Sequence, residues 1–107
     1  MALQVATVSI ELIQLLRPLV ARIRRRDRSL ADQLVRAANS IALNIAEADK
    51  SLGGNVQARY CSAAGSASEV RMALRIAVAW GYVSEDAAAA SEKHLDRVIA
   101  MLWKLTH

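Results

Sequence analysis

Val5, Ser9, Leu12, Leu16, Leu19 and Ile23 alternate spacings of four and three. A strand cannot use that pattern, because its side chains repeat every second residue. A helix places all six on one stripe. The same spacing returns at Leu30, Leu34, Ala38, Ile41 and Ile45, with Leu52 a candidate extension of the stripe. It returns again at Val56, Ala63, Ala67, Val70, Leu74 and Ala77, and finally at Ser91, Leu95, Val98, Leu102 and Leu105. Composition agrees with helix throughout. Hydrophobic residues make up 54% of the 107, with no Phe, one Pro and four Gly. Alanine and leucine lose little freedom in a helix, and breakers are scarce.

The spacing predicts helices over about Leu3 to Arg25, Leu30 to Asp49, Val56 to Trp80, and from a Ser84 cap to about Leu105. RRRDRS, residues 24 to 29, is the first turn, where Asp27 or Ser29 can cap the second helix. SLGGN, residues 51 to 55, is the second, with Asn55 as a cap. Gly81 stops the third helix, and Glu85 and Asp86 suit the first turn of the fourth. Pro18 falls opposite the first seam, so a bend is expected there rather than a break. Four such helices with short turns predict one all-α domain over 1–107, an antiparallel up-down-up-down four-helix bundle.

The net charge is +4, and eleven of the fourteen basic residues are Arg. A single cysteine, Cys61, cannot form an internal disulfide and suits a reducing compartment. At the N-terminus the positive charges follow the apolar run, which is the wrong order for a secretion signal. No uncharged run approaches the ~20 residues that a bilayer needs. The expectation is a cytoplasmic protein with no membrane partner.

Three features go beyond the bundle. Leu43, Met72, Ile76 and Trp80 stand off the core stripes, as do Ile10 and Val35. Surplus apolar faces of this size predict a homo-oligomer interface. Arg36, Ser40, Asn44 and Glu47 form a polar stripe on the second helix. Ser62, Ser66 and Glu69, with Arg59 close by, form one on the third. The two stripes can meet as a polar network of Arg36, Ser40, Asn44, Glu47, Arg59, Ser66 and Glu69. Arg36 with Glu69 and Glu47 with Arg59 are the natural ion pairs. Such a network fixes register between helices; the competing reading is a ligand site lined by Asn44, Glu47 and Glu69. Third, Arg22, Arg24, Arg25, Arg26 and Arg28 crowd the first turn, and Arg71 and Arg75 are expected to point outward two to three turns below the same end. This basic end can grip phosphates, or it can be a solvated helix terminus whose arginines suit the helix dipole.

Catalytic signatures are missing. A di-metal bundle needs Glu-x-x-His pairs, but Ser91 and Lys104 stand three before His94 and His107. An Arg followed four to six residues later by His is missing too. Cys61 has no nearby His. Gly53-Gly54 follows a helix and lacks the Lys-Ser/Thr of a phosphate loop. The expectation is a non-enzyme with no cofactor and no metal.

The run from Arg36 through Asn39-Ser40-Ile41-Ala42-Leu43-Asn44-Ile45-Ala46-Glu47, then Arg59-Tyr60, Ala64-Gly65-Ser66 with Glu69, and Gly81-Tyr82, resembles the four helix bundle protein family. Its members are also called 23S rRNA intervening-sequence proteins. The match is specific over about residues 30 to 83. This chain departs in one place: the family pattern continues from Glu with Gly, where Ala48, Asp49 and Lys50 stand here. The resemblance implies an antiparallel bundle and a ring-shaped homo-oligomer, a pentamer. Some family genes lie inside ribosomal RNA intervening sequences, and relatives act as accessory proteins to reverse transcriptases of diversity-generating retroelements. It therefore favours RNA, or a nucleic-acid-processing protein, as a partner. The leading expectation is an RNA-binding or accessory scaffold; the alternative is a protein-interaction module with no nucleic-acid binding.

Overall fold

Asp27 is a single non-helical residue between two long helices, and it sets the geometry of the first corner. Its N–H bonds to the Ile23 carbonyl at 2.7 Å, closing α1 (Ala2–Arg26), while its Oδ1 accepts from the Leu30 N–H at 2.9 Å, opening α2 (Arg28–Lys50). One aspartate therefore ends one helix and caps the next, and the expected six-residue turn shrinks to one residue. The computed structural model describes residues 2–50 and 54–107. Leu52 and most of the expected SLGGN turn lie outside the described residues. α3 spans Gly54–Ala79 and α4 spans Glu85–Thr106. Asn55 thus lies inside α3 instead of capping it.

α3 ends as expected. Gly81 has φ of +76°, a region costly for any residue with a Cβ. Its N–H reaches the Val78 carbonyl and the Tyr82 N–H reaches the Ala77 carbonyl, both at 2.9 Å. This is the paired-bond helix stop that a left-handed glycine allows. Ser84 is extended, and its hydroxyl accepts from the Ala87 N–H at 3.1 Å.

Each helix packs on its neighbours in sequence, and α4 closes against α1. The result is an all-α four-helix bundle, 43 × 22 × 19 Å, with no strand among the described residues. The predicted seams are its core. Val5, Ser9, Leu12, Leu16, Leu19 and Ile23 are buried, as are Leu30, Leu34, Ala38, Ile41 and Ile45. Ala63, Ala67, Val70, Leu74 and Ala77 are buried on α3, and Ser91, Leu95, Val98 and Leu102 on α4. Val56 and Leu105 are half-buried. α1 runs unbroken past Pro18, which is exposed. Over Gln4–Arg26 that helix is long and apolar enough to cross a bilayer by length and composition, yet its seam is spent on the bundle core. α2 continues to Lys50 through the segment where the chain departs from the family pattern, and Ala48 there is buried.

Candidate nucleic-acid interface

The α1–α2 corner gathers arginines from two helix ends. Arg24, Arg25 and Arg26 occupy the last turn of α1, where the carbonyl end of the helix favours cations. Arg28 opens α2, where the dipole gives it no such support. Arg24 is tied down: its Nη1 lies 2.5 Å from Asp32 Oδ1. That hydrogen bond, aided by the charge of Arg24, holds the Asp32 carboxyl below its ordinary value. The Arg26 guanidinium lies 5.6 Å from the centroid of the Tyr82 ring, within cation–π range. The Tyr82 hydroxyl donates to Asp27 Oδ2 at 3.4 Å. Tyr82 follows the Gly81 stop, so the end of α3 is drawn onto this corner. Arg22, Arg25 and Arg28 are exposed and make no hydrogen bond or ion pair among the described residues.

Arg71 is a correction. It was expected outward, beside the basic end. Its guanidinium instead spans to α4, with Nη1 at 3.4 Å from Glu92 Oε2 and Nη2 on Asp96 Oδ1. It is only 25% exposed. At 100° per residue Arg71 lies on the α4 side of α3, where two carboxylates wait. Arg75 is exposed on the same side and borders a hollow with Glu85 and Glu92. Arg71 is thus paired with α4 carboxylates, whereas Arg75 is exposed as expected, beside the acids of that hollow.

The polar stripes of α2 and α3 do meet, over a shorter span than expected. Ser66 Oγ donates to Ser40 Oγ at 2.8 Å, across the two helices. The Asn44 amide donates to the Ser40 carbonyl at 2.9 Å and to Ser40 Oγ at 3.1 Å. Ser66 is buried and Ser40 and Asn44 half-buried, so the chain of bonds satisfies groups that water reaches poorly. The expected Arg36–Glu69 pair is not formed. Arg36 Nε bonds instead to the Asp32 carbonyl one turn back, at 3.4 Å. Glu47 and Arg59 are both exposed. Beside the Ser40–Ser66 bond runs a groove of about 490 Å³, with Ala37 and Ala73 among its floor residues and Arg36, Glu69, Met72 and Ile76 along it.

The surplus apolar residues are open to solvent. Leu43, Met72 and Trp80 are 65%, 56% and 69% exposed, and Ile76 is 37% exposed. His94 is half-buried between α4 and α1, with Nε2 3.0 Å from the Val8 carbonyl and 3.5 Å from Glu11 Oε1. That contact ties two helices together and points to packing. Cys61 is an exposed free thiol. Burial, together with the nearby Asp49 carboxylate, pushes the Tyr60 phenol above its ordinary range, so it stays neutral. Among the described residues no group of three or more His, Cys, Asp or Glu side chains could hold a metal.

Sequence reasoning missed Asp32 and Tyr82. Asp32 lies eight residues from Arg24, across a turn whose tightness no spacing rule supplies. Tyr82 lies 55 residues from Asp27 and is aligned with it only by the bundle.

The family model for the 23S rRNA-intervening sequence protein matches residues 1–104. A solved structure of a protein of unknown function, from the S23 ribosomal protein family of Bacteroides thetaiotaomicron, has the same fold with a TM-score of 0.85. The two are 17% identical, and the match covers 95% of this chain and 97% of that one. No curated protein matches this chain.

Proposed function

This chain belongs to the 23S rRNA-intervening sequence protein family, and we propose that it is a self-assembling, non-enzymatic scaffold that binds structured RNA through its α1–α2 corner. The observation that carries this reading is the trio Arg22, Arg25 and Arg28. These three cations are exposed and make no hydrogen bond or ion pair among the described residues, Arg28 only feeling the Asp32 carboxylate at longer range, and they project from two helices joined through one residue. Guanidinium groups on a fixed frame suit phosphate oxygens better than mobile ammonium groups do. One corner supplies a few contacts; in a ring of copies, pentameric as the family resemblance implies, the corners repeat and avidity multiplies weak contacts. The apolar Leu43, Met72, Ile76 and Trp80 are the surfaces available for that assembly. The proposal places the protein in the cytoplasm, where Cys61 stays reduced.

The test is binding of a fluorescently labelled structured RNA, followed by anisotropy at low salt. Replacing Arg25 and Arg28 together by Glu should weaken binding at least tenfold while leaving particle mass unchanged. Undiminished binding by that variant removes the corner as the contact surface. A second reading, a protein-docking module without nucleic-acid binding, draws support from the 69% exposure of Trp80. It predicts no RNA binding at any salt and loss of a protein partner on Trp80→Ala.

A further inference from the structure

α1 and α3 each carry a second seam, partly covered by the chain on α1 and open on α3. On α1, Ala6, Ile10, Ile13, Arg17 and Val20 alternate spacings of four and three; Ile10 is 50% exposed, Arg17 is exposed, and the others are half-buried. On α3, Ala58, Ser62, Gly65, Glu69, Met72 and Ile76 do the same, and all six are exposed. Both seams border α2. Ile13, Arg17 and Val20 flank a groove of about 360 Å³ with Val35, and Glu69, Met72 and Ile76 flank the groove of about 490 Å³ on its other side. The α1 seam is apolar with one positive charge. The α3 seam is small or apolar with one negative charge. Neither Arg17 nor Glu69 has an ion pair among the described residues, and Arg36, across the groove from Glu69, is held on the Asp32 carbonyl.

Gly65 supplies the second observation. It lies in mid-helix, where glycine is costly. A Cβ built there meets nothing within 4 Å, and its φ is not in the left-handed region. Nothing within the chain requires glycine at this position. Together with Ala58 and Ser62 it leaves the α3 backbone bare on the outer face, as a closely approaching helix would need.

We propose that the outer seam of α3 packs on the outer seam of α1 from a second copy of this chain, with Glu69 opposite Arg17 of that copy. The inference rests on the self-assembly part of the proposed function and adds which surfaces meet. Self-pairing of α3 about a two-fold axis is disfavoured, because it would set the Glu69 carboxylates of the two copies near each other. α1 and α3 run the same way in the bundle, so bundles lying side by side present them in parallel. Aligning Arg17 with Glu69 then places Ile13 over Gly65, Ile10 over Ser62 and Val20 beside Met72: branched side chains over small ones. The two seams are different surfaces, so the contact is head-to-tail and generates a ring if the rotation closes.

Sedimentation equilibrium tests the pairing. Wild-type protein should have a multiple of the 11.6 kDa protomer mass. Arg17→Glu and Glu69→Arg should each reduce it to the single-protomer value, and the double reversal should restore the wild-type mass. Gly65→Leu should also dissociate the particle while its helical circular dichroism stays intact. Single reversals that leave the mass unchanged, or a double reversal that fails to restore it, overturn the Arg17–Glu69 pairing and leave self-assembly standing. A monomeric wild-type protein overturns both.

Discussion

At the scale of single residues, the bundle shows which polar and backbone features its own stability explains. The Ser40 hydroxyl joins Ser66 to Asn44, so removing it strands two partners at once. Ser40→Ala should lower stability by about 1–2 kcal/mol, read as a shift in the urea midpoint at unchanged slope. Adding Ser66→Ala should cost less than the two single changes combined, because both remove the same bond. Strict additivity would mean that the bond contributes nothing. Gly65 behaves in the opposite way. Gly65→Ala should stabilise the dissociated chain by about 0.5–1 kcal/mol, since nothing in the chain crowds that site. Denaturation at a concentration where only protomers remain would check this, and a loss of stability would place a hidden contact at Gly65. Gly81→Ala should be destabilising, because φ of +76° suits only glycine-like backbones.

At the scale of elements, the core was legible and the surface chemistry was not. The seam residues of all four helices could be read from spacing, because burying one stripe per helix is what makes the bundle stable. Helix ends were harder. Asp27 serves two helices at once, which shortened the expected turn, and the start of α3 at Gly54 turned an expected cap into a helical residue. Ion pairs were the least legible. Arg71 was expected to point outward but faces α4, and both Arg71 and Arg36 had more than one partner within reach of a long side chain. Arg71 took the α4 carboxylates, and Arg36 took a carbonyl of its own helix. At the corner, the Arg24–Asp32 bond supplies a further test. Asp32→Asn removes the counter-charge of Arg24, which should tighten RNA binding and steepen its salt dependence, as expected when one more arginine becomes available to phosphate. Because Arg24 lowers the Asp32 carboxyl, the contribution of this pair to stability is present above the unfolded-state value of about 3.8. It fades as pH falls through the lower folded-state value.

At the scale of the whole molecule, a rod 43 Å long and about 20 Å across has little interior to spare. Several large apolar residues off the core seams therefore stand in solvent, where another molecule can cover them. The exposed Leu43, Met72 and Ile76 lie along α2 and α3, Trp80 follows the end of α3, and the exposed arginines lie at the α1–α2 corner. On this proposal, assembly and RNA contact rest on different residues and can be altered separately. Ile76→Asp should lower particle mass, and substitutions at Arg25 and Arg28 should not. The central claim is that the α1–α2 corner binds RNA phosphates, and the most direct test is wild-type affinity for a structured RNA measured across a series of salt concentrations. Three available arginines per copy predict that log affinity falls linearly with log salt, with a slope of about −2 to −3 for each corner engaged. A slope near zero, or no binding even at the lowest salt, would contradict the claim and leave the arginines as a solvated helix end.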